Sequence, residues 1–117
     1  MTMTNTTLGL PRTHGNVHWI GGCVAFDYDG EHIHGHMCAY LVIGDERSLL
    51  VDTGHPAHAH QVESALDRLL QGRPLDLIFP THSEMPHAGN LGRWLRKWPE
   101  CRVVGDISDY HLYYPDD

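Results

Sequence analysis

One stretch limits the folds open to this chain more than any other: Phe79-Pro80-Thr81-His82-Ser83-Glu84-Met85-Pro86-His87-Ala88-Gly89-Asn90. Residues 75–79 ahead of it read as a short buried strand. Pro86 opens a helix, since a missing N–H costs nothing in a first turn, and Leu91, Trp94, Leu95 and Trp98 form its apolar stripe before Pro99 ends it. Between strand and helix lies a loop with three candidate metal ligands, His82, Glu84 and His87. Two of them stand two residues apart on the loop and the third sits on the first helical turn, so the three can converge on one point. The strand end and the helix start would hold that loop rigid, as a metal site requires. Two imidazoles beside a carboxylate oxygen make a mixed set that suits iron or manganese at least as well as zinc.

The rest of the chain builds around this unit. Val24, Phe26 and Tyr28 alternate within a strand over 17–28, and Asp29-Gly30 is a hairpin turn signal. A second strand is expected from 31 or 32 to 43 and a third over 48–51. The third is apolar almost throughout and reads as buried on both faces. Asp52-Thr53-Gly54 closes the β-region. A helix follows with Val62, Ala65, Leu66, Leu69 and Leu70 on one stripe, stopped by Gly72 and Pro74. A last strand is expected over 102–105. Hairpins followed by α, β, α, β predict an α/β or α+β layered fold with helices covering a sheet. Residues 1–15 read as a flexible leader and 16–117 as a single domain.

Composition removes several functional classes. Eight Lys and Arg against fifteen Asp and Glu leave a net charge of −7. Such a surface repels phosphate backbones, and with no basic patch, nucleic-acid binding is not expected. The densest basic stretch, Arg93, Arg96 and Lys97, reads as the wet face of a helix. No apolar run reaches the roughly 20 residues that span a bilayer, and the Thr- and Asn-rich start lacks a secretion signal. Three widely spaced cysteines without a CxxC pair suit a reducing cytoplasm.

Eleven histidines stand out. His32, His34 and His36 fall on one face of a strand and read as a solvated face, with His36 a candidate for the mouth of the site. His55, His58 and His60 flank a helix start and read as exposed, with His55 the other candidate for the site mouth. Asp76 reads as a solvated strand end and His111 as structural. Tyr110, Tyr113 and Tyr114 are candidates to cover the site or an interface.

Taken together, Asp52-Thr53-Gly54 after an apolar strand, a helix, and then Thr81-His82-x-x-x-x-His87-Ala88-Gly89-Asn90 resemble the metallo-β-lactamase superfamily. Its hallmark is a strand ending in a T-H-x-H-x-D-H-x-G-N loop. Glu84 in place of the second His is similar to the flavodiiron, or oxygen-binding diiron, branch with its H-x-E-x-D-H loop. The resemblance implies the amino-terminal half of an αββα sandwich. It further implies His82 and Glu84 as ligands of a first metal, His87 as a ligand of a second, and Asp52 as an outer partner that steadies the loop. Pro86 stands where both patterns carry an Asp, and proline cannot ligate, so a weakened second site or a single-metal site is expected.

The expected function is therefore a metal-binding domain of the oxygen-binding diiron type. When complete, it would be an oxidoreductase handling O₂ or NO with iron, mononuclear or dinuclear. A small-molecule substrate and an electron-donor protein or flavin are the implied partners. The catalytic residues are not assigned. The remaining ligands of the superfamily come from a second αβ half that would follow Asp117. The chain is thus expected to act as a fragment completed by another chain or as a homo-oligomer, inactive by itself. One alternative is a metal-dependent hydrolase of the same fold, in which zinc or manganese lowers the pKa of a bound water. The other is a non-catalytic remnant or sensor.

Overall fold

In the computed structural model the described residues are 13–105. Eight strands are present among them: β1 (Thr13–His14), β2 (Val17–Trp19), β3 (Gly22–Tyr28), β4 (Glu31–Met37), β5 (Tyr40–Ile43), β6 (Ser48–Val51), β7 (Leu77–Phe79) and β8 (Arg102–Val103). Six form one sheet in the order β1-β2-β5-β6-β7-β8, and β3 pairs with β4 separately. Pairings from β1 to β6 are antiparallel, while β6–β7 and β7–β8 are parallel. The parallel links need crossovers. α1 (Ala59–Leu70) makes the first, and α2 (Met85–Ala88) with α3 (Leu91–Lys97) makes the second. This mixed sheet with helices layered on it is the α+β arrangement expected. No helix among the described residues is long and apolar enough to cross a membrane.

The core explains the layering. Leu41, Leu50 and Ile78 are paired across neighbouring strands, so they share one face of the sheet, and all three are fully buried. Val62, Leu66 and Leu70 of α1 and Leu91 and Trp94 of α3 join them in a single cluster. Both helices therefore cover the same face. The expectation that 48–51 is buried on both faces is corrected here: Ser48 and Leu50 are buried, while Leu49 and Val51 are only half-covered.

The long strands expected over 17–28 and 31–43 are each broken into two. Ile20 and Gly21 separate β2 from β3, and Cys38 and Ala39 separate β4 from β5. At the break the backbones cross so closely that a Cβ on Gly21 would overlap the Met37 carbonyl. The β3–β4 ribbon thus leaves the main sheet. Its tip is the expected turn, with Asp29 at φ 50° and Gly30 at φ 78°, the paired left-handed residues that match a hairpin's twist. The helix expected from Pro86 onward is also broken, at Gly89 and Asn90. Residues 13 and 14 of the 1–15 leader lie in β1, and residues 1–12 fall outside the described residues. So do His111 and Tyr110, Tyr113 and Tyr114.

Asp76 is not a solvated strand end. Its Oδ2 accepts from the Ser48 backbone N–H at 2.8 Å, and the Ser48 hydroxyl donates to the Pro74 carbonyl at 2.9 Å. The pair ties the start of β6 to the approach to β7.

Candidate metal centre

The site lies at the carboxyl ends of the parallel strands β6 and β7, where ligands of α/β sheets commonly bind. Asp52 leaves β6 with φ 62°, a left-handed conformation that Asp tolerates better than most residues. Its backbone N–H still donates to the Phe79 carbonyl at 2.9 Å. This turn aims a mostly buried carboxylate at the neighbouring loop. Oδ1 accepts from the Thr81 N–H at 2.7 Å and from the Thr81 hydroxyl at 2.9 Å. Oδ2 lies 2.9 Å from His87 Nδ1. Beside a carboxylate that nitrogen carries the proton, which leaves Nε2 of His87 with its lone pair free.

The rest of the Asp-Thr-Gly turn grips the other end of the loop. Thr53 N–H donates to the His87 carbonyl at 2.8 Å, and the Thr53 hydroxyl accepts from the Asn90 N–H at 3.0 Å. The Asn90 amide donates to the carbonyls of Thr53 and Gly54 at 3.2 and 3.0 Å. The Trp94 indole N–H reaches the Thr53 carbonyl at 3.0 Å. Thr53, Asn90 and Trp94 are all buried, so these bonds form away from water, where an unpaired group would be costly. Gly54, at φ 81°, leaves room that a Cβ would take from Val62.

His82 and His87 are brought together: their ring centroids are 5.2 Å apart at a 55° tilt. His82 is exposed and His87 half-buried. Glu84 is exposed and forms the N-cap of α2 in extended conformation, with no side-chain cap bond. Its carbonyl accepts from the N–H groups of His87 and Ala88 at 2.9 Å each. Among the described residues, no three His, Cys, Asp or Glu side chains already surround a common point. The structure thus brings together His82, His87 and, behind His87, Asp52, while Glu84 stands exposed at the start of α2.

His55 follows the Asp-Thr-Gly turn and caps the one-turn 3₁₀ helix Pro56–His58, its Nδ1 accepting from the Ala57 N–H at 3.0 Å. Burial, and then the neighbouring His58, hold its pKa below the ordinary value. His36 is exposed on β4, paired across the ribbon with Cys23.

His58 overturns the expectation of an exposed residue. It is 3% exposed, and a Cβ on Gly22 would strike its ring. Neither ring nitrogen makes a well-formed hydrogen bond. Burial pushes its pKa below 6.5, against a weaker opposing influence of the Cys23 backbone. The sequence carried a signal for this, since 58 stands four residues before Val62 on the stripe that continues through Leu66 and Leu70. Thr53, Thr81 and Asn90 were also missed as positioning residues. Asn90 had a signal too, as a polar residue opening an apolar helical stripe.

The family model of the metallo-beta-lactamase superfamily matches residues 38–117. Among curated proteins, the coenzyme F420H(2) oxidase of Methanothermobacter marburgensis is 32% identical over 102 residues, covering 79% of this chain and 24% of that protein. The protein of the same name from Methanocaldococcus jannaschii is 29% identical over 97 residues, covering 74% and 23%. The chain thus spans about a quarter of the length of these relatives. Solved structures agree in fold. A metallo-beta-lactamase from Pontibacter korlensis superposes with a TM-score of 0.64 at 19% identity, covering 91% of this chain and 46% of that one. A class B3 di-zinc metallo-beta-lactamase from an Alaskan soil metagenome gives 0.61 at 15% identity, covering 93% and 39%. With its Asp-Thr-Gly turn locked onto a His-bearing loop at the strand ends, the chain belongs to the metallo-beta-lactamase superfamily.

Proposed function

We propose that this chain is a metal-binding domain of the oxygen-binding diiron type, using His82, Glu84 and His87 as its ligands. The observation that carries the reading is the His82–His87 pair, its rings 5.2 Å apart, with His87 Nδ1 held by Asp52 at 2.9 Å. A carboxylate behind an imidazole fixes the tautomer and raises the basicity of the far nitrogen, the usual support of a metal-binding histidine. Glu84, exposed and without a side-chain cap bond, would be the third ligand of the same ion. Iron is favoured over zinc because Glu84 stands where a third imidazole would favour zinc, and because the relatives matched in sequence are named oxidases. Iron held there would supply the one-electron exchange with O₂ that no side chain of the chain provides. His87 would hold that ion, with Asp52 and Thr81 orienting its ring from behind, and the electrons would come from a partner protein or a flavin.

Pro86 occupies the second position of α2, where it suits the helix but offers no ligand. The reading therefore includes a single ion or a weak second one. Completion of the site by a second copy or another chain also belongs to it.

The test is metal analysis of the chain purified from cells without added metal. About one equivalent of iron with visible absorption, lost in His87→Ala and increased in Pro86→Asp, is the expected result. Colourless zinc with esterase activity would replace this reading with a metal-dependent hydrolase, and absence of any bound metal would leave a non-catalytic remnant.

A further inference from the structure

We propose that the exposed histidines on the β3–β4 ribbon form a second metal site, in which His32 and His34 chelate a divalent transition ion of the zinc, nickel or copper class through their Nε2 atoms. Residues two apart on a strand project from the same face, roughly 7 Å apart along it. The two rings lie closer than that, with centroids 4.7 Å apart and nearly perpendicular planes. Each ring is oriented from behind by the opposite strand. His32 Nδ1 lies 2.9 Å from Asp27 Oδ1, and His34 Nδ1 lies 3.5 Å from Cys23 Sγ.

Register accounts for both contacts. Asp27 pairs with His32, Ala25 with His34 and Cys23 with His36, so these side chains share one face of the ribbon. The Asp27 carboxylate makes Nδ1 of His32 the protonated nitrogen and leaves Nε2 as the lone-pair donor. His34 Nδ1 faces the Cys23 sulfur, so Nε2 is the ring nitrogen offered to an ion, in the tautomer where Nδ1 carries the proton. This carboxylate–histidine relay is the one that supports metal-bound imidazoles in general. Two neutral imidazoles without a carboxylate ligand favour copper, nickel and zinc over magnesium or calcium. No three candidate ligands already surround one point among the described residues. The site is accordingly a two-imidazole chelate completed by water, with His36 the next imidazole along the same face. It is independent of the loop at 82–87, whose ligands lie on other elements.

The experiment uses the full chain carrying His82→Ala and His87→Ala, so that the loop contributes no imidazole. Ni²⁺ and Zn²⁺ are titrated calorimetrically. The expected result is one equivalent bound, abolished when His32→Ala and His34→Ala are added, and weakened about tenfold by Asp27→Asn alone. Circular dichroism checks that the variants fold; the two imidazoles are exposed, so their removal leaves the core intact. Binding unchanged by loss of His32 and His34, or no binding in the loop variant, would overturn the proposal. Neither result touches the iron assignment at the loop, which the first two substitutions remove from the assay.

Discussion

Asp52 does at one residue what the whole site depends on. Its left-handed backbone turns the chain out of β6, and its two oxygens hold Thr81 and His87 together. Asn shares the tolerance for that backbone conformation, so Asp52→Asn separates the charge from the turn. The variant should keep its far-UV spectrum while its affinity for iron or zinc falls about 10- to 100-fold in a calorimetric titration. Unchanged affinity would mean that Asp52 serves the fold alone. The pairing of the Asp-Thr-Gly turn with the histidine loop was legible from spacing and resemblance, and Asp52 does meet that loop at Thr81 and His87. The roles of Thr53 and Thr81 were not legible. Their hydrogen bonds depend on the exact path of two backbones distant in sequence, and no local pattern encodes that path.

Among elements, α1 and α3 are clasped on their outer side as well as packed inside. Glu63 accepts from Arg93 at 2.9 Å and from Lys97 at 2.8 Å, and Lys97 also reaches Asp67 at 3.1 Å. The basic residues read from sequence as a wet face are thus partly spent on the neighbouring helix. The hydrogen bonds from Lys97 and then Arg93 pull the Glu63 carboxyl down to about 2. A depressed carboxyl stabilises the fold above its ordinary value near 4.5, and that contribution is lost as pH falls toward 2. Urea unfolding of Glu63→Gln should show a loss of about 1 kcal/mol or less at neutral pH, because the pair is partly open to solvent. The deficit should shrink steadily below pH 4.5. A constant deficit across that range would point to packing instead. Helix periodicity predicted both helices well. The break at Gly89 and Asn90 was hidden because the apolar stripe begins only after it, so the first turn and the following helix looked continuous.

At the scale of the whole molecule, His58 ties the ribbon to the helical layer: it ends the 3₁₀ turn ahead of α1, is buried, and packs under Gly22 of β3. Its pKa is lowered by burial, so the unfolded chain binds the proton more readily than the folded one. The sign follows: stability is full above about pH 6.5 and falls as pH drops below it toward the folded value. Between pH 7.5 and 5.5 the urea midpoint of the native chain should fall, and that of His58→Leu should fall less. Equal slopes would assign the acid sensitivity to His55 or to other histidines. The layered class was legible because alternating and helical periods follow one another cleanly. The separation of the ribbon from the main sheet was not, since it turns on a single backbone crossing at Gly21 that leaves the hydrophobic alternation on either side unchanged.

The lock between the Asp-Thr-Gly turn and the loop has a consequence for how such a chain can change over generations. The backbone at 79–90 is held by Asp52, Thr53 and Asn90, and none of those bonds passes through the side chains at 82, 84 or 86. Those three positions form an exchangeable socket on a fixed mount. Swapping a carboxylate for an imidazole, or a carboxylate for a proline, changes the chemistry displayed there without asking the scaffold to move.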